Sequence, residues 1–254
     1  MALVISVVTQ KGGVGKTTAA NALSSVIRAS GKKILAVDFD PQANLSYSFG
    51  ADTTDSLTIY NVLRGDAPAG ECIISTAVGD IIACDILLNS AELEFVSDSR
   101  EYLLKNALKS IMKNYDYIII DCPPGLGILT ACALCTSDYV IVPMLPDSFS
   151  LQGIVLINDT INRVRKSCNP NVQIAGVLIN RFSPFSRHHR EARKTADMIA
   201  GKCGIRVFDT IIRSCPALSE AHTLQTDITE YRRCRRAMND YMRLFHEMQQ
   251  KQII

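Results

Sequence analysis

Val4-Ile-Ser-Val-Val8, Thr9-Gln-Lys11-Gly-Gly-Val-Gly15 and Lys16-Thr-Thr18, running on to Ala29, form the stretch that decides the fold. The apolar run at 4–8 has strand length and is mostly β-branched, so it predicts a short buried strand. Thr17 to Ala29 has helical length and is stopped by Gly31. Ile34 to Val37 is a second apolar run and completes a strand–helix–strand unit. Between the first strand and the helix, Gly12-Gly-Val-Gly-Lys-Thr17 is a phosphate-loop motif in the context that motif requires. Glycines let backbone N–H groups converge on phosphate oxygens, and the helix beginning near Lys16 adds the positive end of its dipole. The chemistry expected is therefore ATP with magnesium, held by Gly12, Gly13, Val14, Gly15, Lys16, Thr17 and Thr18. Lys16 is expected to reach the β- and γ-phosphates, and the Thr17 hydroxyl to ligate Mg2+.

Further apolar runs follow at Asp80 to Cys84, Tyr117 to Ile120, Tyr139 to Val142 and Val172 to Ile179. Helical patterns separate or follow them near 91–113, 127–136, 150–166, 188–201 and 232–250. Near-continuous apolar strands alternating with helices predict a mostly parallel sheet covered on both faces, a three-layer α/β/α phosphate-loop fold. No linker, repeat or low-complexity tract divides the chain, so 1–254 is read as a single domain. The segment 50–79 is the least regular and is expected to hold loops and short helices.

Of 254 residues, 47% are hydrophobic and the formal charge is +2, so the chain can bury a core and any basic surface must be local. The nine cysteines are scattered, with no basic leader ahead of an apolar stretch, which favours reduced thiols and a cytoplasmic setting. Cys132 and Cys135 form one C-x-x-C without the second pair that a structural zinc site needs. No apolar stretch reaches the length that spans a membrane.

Two strands end in acids. Lys33-Ile-Leu-Ala-Val-Asp38-Phe-Asp40 places two carboxylates where open α/β sheets bind ligands, at a strand's C-terminal end. Tyr117-Ile-Ile-Ile-Asp121 has the Walker B pattern, whose carboxylate holds magnesium.

Lys11, five residues before Lys16, begins the deviant form of the loop, Lys-Gly-Gly-x-Gly-Lys-Thr. With it the sequence resembles the ParA/Soj/MinD class of ATPases. The resemblance extends over 2–247 through Asp80 to Glu94, Ser137 to Pro143, Leu178-Ile-Asn-Arg-Phe182 and Leu218-Ser-Glu-Ala221. It implies that Lys11 crosses a dimer interface to the partner's nucleotide. It also implies that Asp40 positions the attacking water, that Asp38 supports the magnesium side, and that Asn180 approaches the adenine. Arg213, in the stretch after Ile212, belongs to the other wall of that base pocket. The family often has an acid where this chain has Gln152, and its arginine-rich segment before Leu218 is reduced here to Arg213-Ser-Cys-Pro-Ala217.

Arg232, Arg233, Arg235 and Arg236 open the last helix, followed by Met238, Tyr241, Met242, Phe245 and Met248 at helical spacing. Three readings apply: a docked helix with a solvated basic end, a patch that tracks DNA phosphates, or a MinD-like membrane helix. The arginines wrap broadly around the helix, and the neighbouring segments resemble ParA/Soj more than MinD, which favours DNA. Arg187-His-His-Arg190, Arg193 and Lys194 either extend that surface or are simply solvated. With the loop beginning at residue 11, a separate helix-turn-helix and operator recognition are not expected. The resemblance thus implies a partition ATPase, nucleoid-associated in the cytoplasm. Its expected partners are an ATP-dependent homodimer, nonspecific double-stranded DNA and a ParB-like centromere-binding protein, and membrane association is not expected. The alternative reading is a MinD-like positioning ATPase acting at the membrane, and metabolic enzymes of the same superfamily, of nitrogenase iron protein or dethiobiotin synthetase type, form a third class.

Overall fold

The structure is a computed structural model that describes residues 1–90, 94 and 99–254. Among the described residues seven strands form its sheet: β1 (Leu3–Val7), β2 (Ile34–Asp38), β3 (Ile73–Ser75), β4 (Asp80–Ile82), β5 (Tyr117–Asp121), β6 (Tyr139–Met144) and β7 (Gln173–Ile179). Their order is β3-β4-β2-β5-β1-β6-β7. Every neighbouring pair is parallel except β3 with β4. The helices among the described residues begin with α1 (Lys16–Ala29), α2 (Asn44–Phe49), α3 (Ile59–Arg64) and α4 (Leu103–Leu108). They continue with α5 (Ile128–Thr136), α6 (Ser148–Ser167), α7 (Arg187–Lys202), α8 (Ala217–Thr223) and α9 (Arg235–Gln250).

Strand side chains alternate between faces, and here both faces are apolar. Val4, Leu35, Val37, Ile118 and Ile120 enter one core with α3, α5 and α6. Ile5, Val7, Ala36 and Ile119 enter the other with Leu23, Val26 and Ile27 of α1 and Tyr241, Leu244, Phe245 and Met248 of α9. The three layers expected from the sequence are present. β1 lies between β5 and β6, so the chain leaves it toward β2 on one side and later reaches β6 on the other. That reversal opens a crevice at the strands' C-terminal ends, where Asp40, Asp121 and the loop after β1 meet.

Some elements differ from the expected ones. The helical stretch read at 91–113 falls partly on residues outside those described; the remainder is α4 between two short 3-10 turns at Arg100–Tyr102 and Met112–Asn114. The irregular segment contains the edge strand β3, and α2 and α8 were not expected. The last helix starts as a 3-10 turn over Arg232–Cys234 and becomes α-helical at Arg235. Among the described residues no helix is long and apolar enough to cross a membrane. Cys132 and Cys135 are buried free thiols, and no group of three or more potential metal ligands occurs among the described residues.

Candidate functional site

The loop from Thr9 to Gly15 turns the chain from β1 into α1 through two left-handed glycines, Gly13 at φ 76° and Gly15 at φ 88°. Gly15 serves as the cap of α1 with no side-chain hydrogen bond, and the first turn has no acidic residue. The first N–H groups of α1 are thus available to an anion. Space matters at Gly15 as well as φ, since a larger residue would displace the end of the Asn180 side chain. A Cβ there would lie 2.9 Å from Asn180 Nδ2. Asn180, just beyond β7 and 3% exposed, donates from Nδ2 to the Val14 carbonyl at 2.8 Å. Its Oδ1 is buried without a hydrogen-bond partner, an acceptor already in place for a donor group on a bound base.

Lys16 connects the loop to the strand-end acids. Its Nζ donates to Asp121 Oδ1 at 2.8 Å and to Asp40 Oδ2 at 3.0 Å. Burial alone would favour the neutral amine, but the two carboxylates outweigh it and hold Lys16 as an ammonium. Burial raises the pKa of Asp121, against the attraction of Lys16 and a hydrogen bond from the Thr17 hydroxyl. Asp121 Oδ2 has no partner meeting hydrogen-bond geometry. The Asp121 carboxylate, with the Thr17 hydroxyl beside it, makes an oxygen-only donor set of the kind Mg2+ takes, and Asp40 converges with it on the same cationic nitrogen.

Asp38 lies beside Asp121 in strand register and, unlike Asp40, does not line the cleft. It is fully buried, and Oδ2 accepts from Ser46 N and Ser46 Oγ, both at 2.7 Å. Oδ1 accepts from the Asp40 amide at 3.2 Å. Asp38 therefore shapes the turn that carries Asp40. Burial and then the like charge of Asp121 raise its pKa, with the three hydrogen bonds opposing. The folded state thus binds this proton more tightly than the unfolded chain, where an aspartate titrates near about 3.9. Stability from this group is full at low pH and is lost as pH rises from about 4 through the raised folded pKa. Asp38→Asn has no proton to lose, so its melting temperature should fall less than wild type's over that interval. Parallel melting curves against pH would contradict this account.

Two cavities adjoin the loop. A cleft of about 440 Å³ is lined by Lys11, Gly13, Lys16, Thr17, Asp40 and Pro124, among others. A smaller cavity of about 210 Å³ is lined by Asn180, Ile212, Arg213, Pro216 and Tyr241. Gly15, Thr18, Arg181 and Ser219 line both, so a phosphate-sized cleft leads into a base-sized cavity. Arg181 and Ser219 were not singled out from the sequence. Arg181 adjoins Asn180 at a strand's C-terminal end, a position that could have flagged it. Lys11 is half exposed, and its Nζ lies 3.6 Å from Asp147 Oδ2, the carboxylate that caps α6 by accepting from the Ser150 amide at 2.7 Å.

All four arginines of the last helix are exposed around buried Cys234 and Ala237. Arg233 pairs with Glu220 of α8. The apolar stripe is committed to the core: Tyr241, Phe245 and Met248 are each at most 1% exposed. Tyr117 meets the Phe245 ring edge-on, with centroids 6.0 Å apart.

A parallel sheet reversing at a glycine loop, with a lysine at the helix start and an acid at the end of the adjacent strand, defines a phosphate-loop nucleoside triphosphatase. Comparison with known proteins narrows this. A family model described as AAA domain matches residues 2–174. The chromosome partitioning protein ParA of Caulobacter vibrioides is 36% identical over 234 residues, which cover 90% of this chain and 86% of that protein. The sporulation initiation inhibitor protein Soj of Bacillus subtilis is 42% identical over 183 residues, 70% of this chain and 72% of that one. The structure of cobyrinic acid a,c-diamide synthase from Mycobacterium smegmatis, with bound ADP and magnesium, superposes with a TM-score of 0.79 at 31% identity. It covers 88% of this chain and 92% of that one. The chain belongs to the ParA/Soj family of partition ATPases.

Proposed function

We propose that this ATPase partitions DNA by cycling between an ATP-bound dimer on duplex DNA and a released form. In the resting arrangement Lys16 is held by Asp40 and Asp121. Phosphates entering the loop draw it away, and its charge then stabilises the γ-phosphate as charge develops in the transition state. Thr17 and Asp121 would hold magnesium, which would supply neutralisation of phosphate charge. Asp40, relieved of Lys16, orients the attacking water. Asn180 and Arg213 flank the adenine, and Lys11 exchanges its contact with Asp147 for the partner's nucleotide across a sandwich dimer. A ParB-like protein stimulates hydrolysis, which ends DNA binding, and the protein resides on the nucleoid in the cytoplasm as one domain over 1–254.

The observation that carries the DNA part is the exposed cluster Arg232, Arg233, Arg235 and Arg236 on a helix whose apolar face is buried. A MinD-like membrane helix needs that apolar face for lipid, whereas Phe245 is 1% exposed. Co-sedimentation with plasmid DNA against anionic liposomes, each with and without ATP, tests the choice. DNA binding should be independent of base sequence, since these side chains meet phosphates. Each phosphate neutralised contributes about −0.9 to the slope of log affinity against log salt. Arg233→Ala with Arg236→Ala should flatten that slope by up to roughly 2, with Arg236 giving the larger share because Arg233 must first leave Glu220. Liposome binding with no DNA shift at about 50 mM salt would reverse the assignment.

A further inference from the structure

The arginine helix is built into the wall of the base cavity. Tyr241, on α9, lines that cavity together with the strap Ile212–Pro216. The strap is joined to α9 by one ion pair. Arg213 Nε donates to Asp240 Oδ2 at 2.9 Å and Arg213 Nη2 to Asp240 Oδ1 at 2.6 Å. The Arg213 amide also donates to Oδ2, at 3.2 Å. Asp240 is 3% exposed while the Arg213 side chain is 37% exposed, so this is a bidentate, directional contact with its carboxylate buried and its guanidinium at the surface. The same guanidinium donates from Nη2 to the Arg236 carbonyl at 3.4 Å, in the turn that presents Arg235 and Arg236. On the strap's other side lies a second groove of about 290 Å³, lined by Arg213, Cys215, Glu220, Arg233 and Arg236 among others. One four-residue wall, Arg213 to Pro216, therefore separates the base cavity from an arginine-lined groove and touches both.

We propose that the Arg213–Asp240 pair is a positioning contact through which a base in the cavity sets the placement of the arginine helix. A ligand seated against Asn180, Ile212 and Tyr241 presses on the strap and on α9 together, and the ion pair makes them move as one body. The arginines are then held in one arrangement for duplex phosphates, the DNA part of this inference resting on the function proposed above. Coupling of this kind is reciprocal, so DNA tightens ATP binding by the factor by which ATP tightens DNA binding.

The sign of one substitution separates this from plain electrostatics. Asp240→Asn removes a negative charge beside the basic patch, which by charge alone strengthens attraction to a polyanion. The positioning role requires the opposite: ATP-dependent DNA affinity should fall about fivefold or more, with ATP affinity in the absence of DNA close to wild type. Arg213→Lys keeps the charge but loses the two-pronged geometry, and it should lose DNA affinity in the same direction. Hydrogen exchange of residues 232–243, measured with and without ATP and magnesium, reads the contact without DNA. Wild type should gain protection in this segment on adding ATP, and both variants should lose that gain while retaining a cooperative melt. Equal gains in wild type and variants, or Asp240→Asn binding DNA as tightly as wild type or more so, would overturn the proposal. Wild type that gains protection but binds no DNA would leave the contact standing and remove the DNA function instead.

Discussion

Lys16→Ala is expected to cost ATP affinity roughly 100-fold or more, the loss of a water-excluded charge partner to phosphate being worth several kcal/mol. The backbone cradle of Gly12 to Gly15 survives this change, so weak binding persists where chance contact would give none. The second consequence appears without nucleotide. Asp121 is fully buried, and Lys16 is the cation 2.8 Å from it. Removing one partner of a buried pair costs about 3–5 kcal/mol because the other charge is left uncompensated. The nucleotide-free variant should therefore melt well below wild type, and less so at low pH. The sign follows from linkage: without Lys16 the folded pKa of Asp121 rises further, so stability is lost as pH rises from about 4. Calorimetric titration with ATP and thermal melts at several pH values measure both effects. ATP affinity equal to that of wild type would remove Lys16 from phosphate binding.

Much of the fold is legible in the sequence where side chains with one solution sit in long runs. Tyr117-Ile-Ile-Ile-Asp121 has the length and β-branched content of a strand buried on both faces, and it pairs with β1 and β2 in that role. The loop residues are legible for a related reason: glycines at 13 and 15 take backbone angles that other residues adopt at a cost. What the sequence hides is short or non-local. Ile73–Ser75 has three residues, too few to show a period, and earns its place only as an antiparallel partner for β4. Ala217–Thr223 is seven residues long, too short for its buried apolar positions Ala217, Leu218 and Ala221 to stand out as a helical period. The Asn180 contact with Val14 spans 166 residues, and the contact from Arg213 to Asp240 spans 27, so neither leaves a local pattern. Asp38 has a partner the sequence does not reveal. A strand-end acid in the right place reads as a cleft residue, yet Ser46 turns it inward and uses it to build the loop.

Asp40→Ala should separate binding from turnover, and in a direction the resting contacts dictate. Asp40 competes with phosphate for Lys16, accepting from Nζ at 3.0 Å, and it braces its own turn by accepting from the Gln42 amide at 3.1 Å. Deleting the carboxylate leaves Lys16 with Asp121 alone, so less must be broken when phosphates enter the loop. ATP affinity should thus be equal to wild type or a few-fold tighter, the reverse of Lys16→Ala. Turnover should fall on the order of 100-fold, comparable to removing one preorganised polar group from a reacting centre. Binding without hydrolysis should then trap the ATP-bound dimer, seen as a lasting increase in light scattering after ATP is added. Phosphate release at saturating ATP supplies the rate, and calorimetry with ATP supplies the affinity. Loss of affinity together with rate would mean that Asp40 serves the phosphates themselves. Unchanged turnover would mean that the water is oriented elsewhere in the cleft, where Gln42, Asn44 and Pro124 also face the loop.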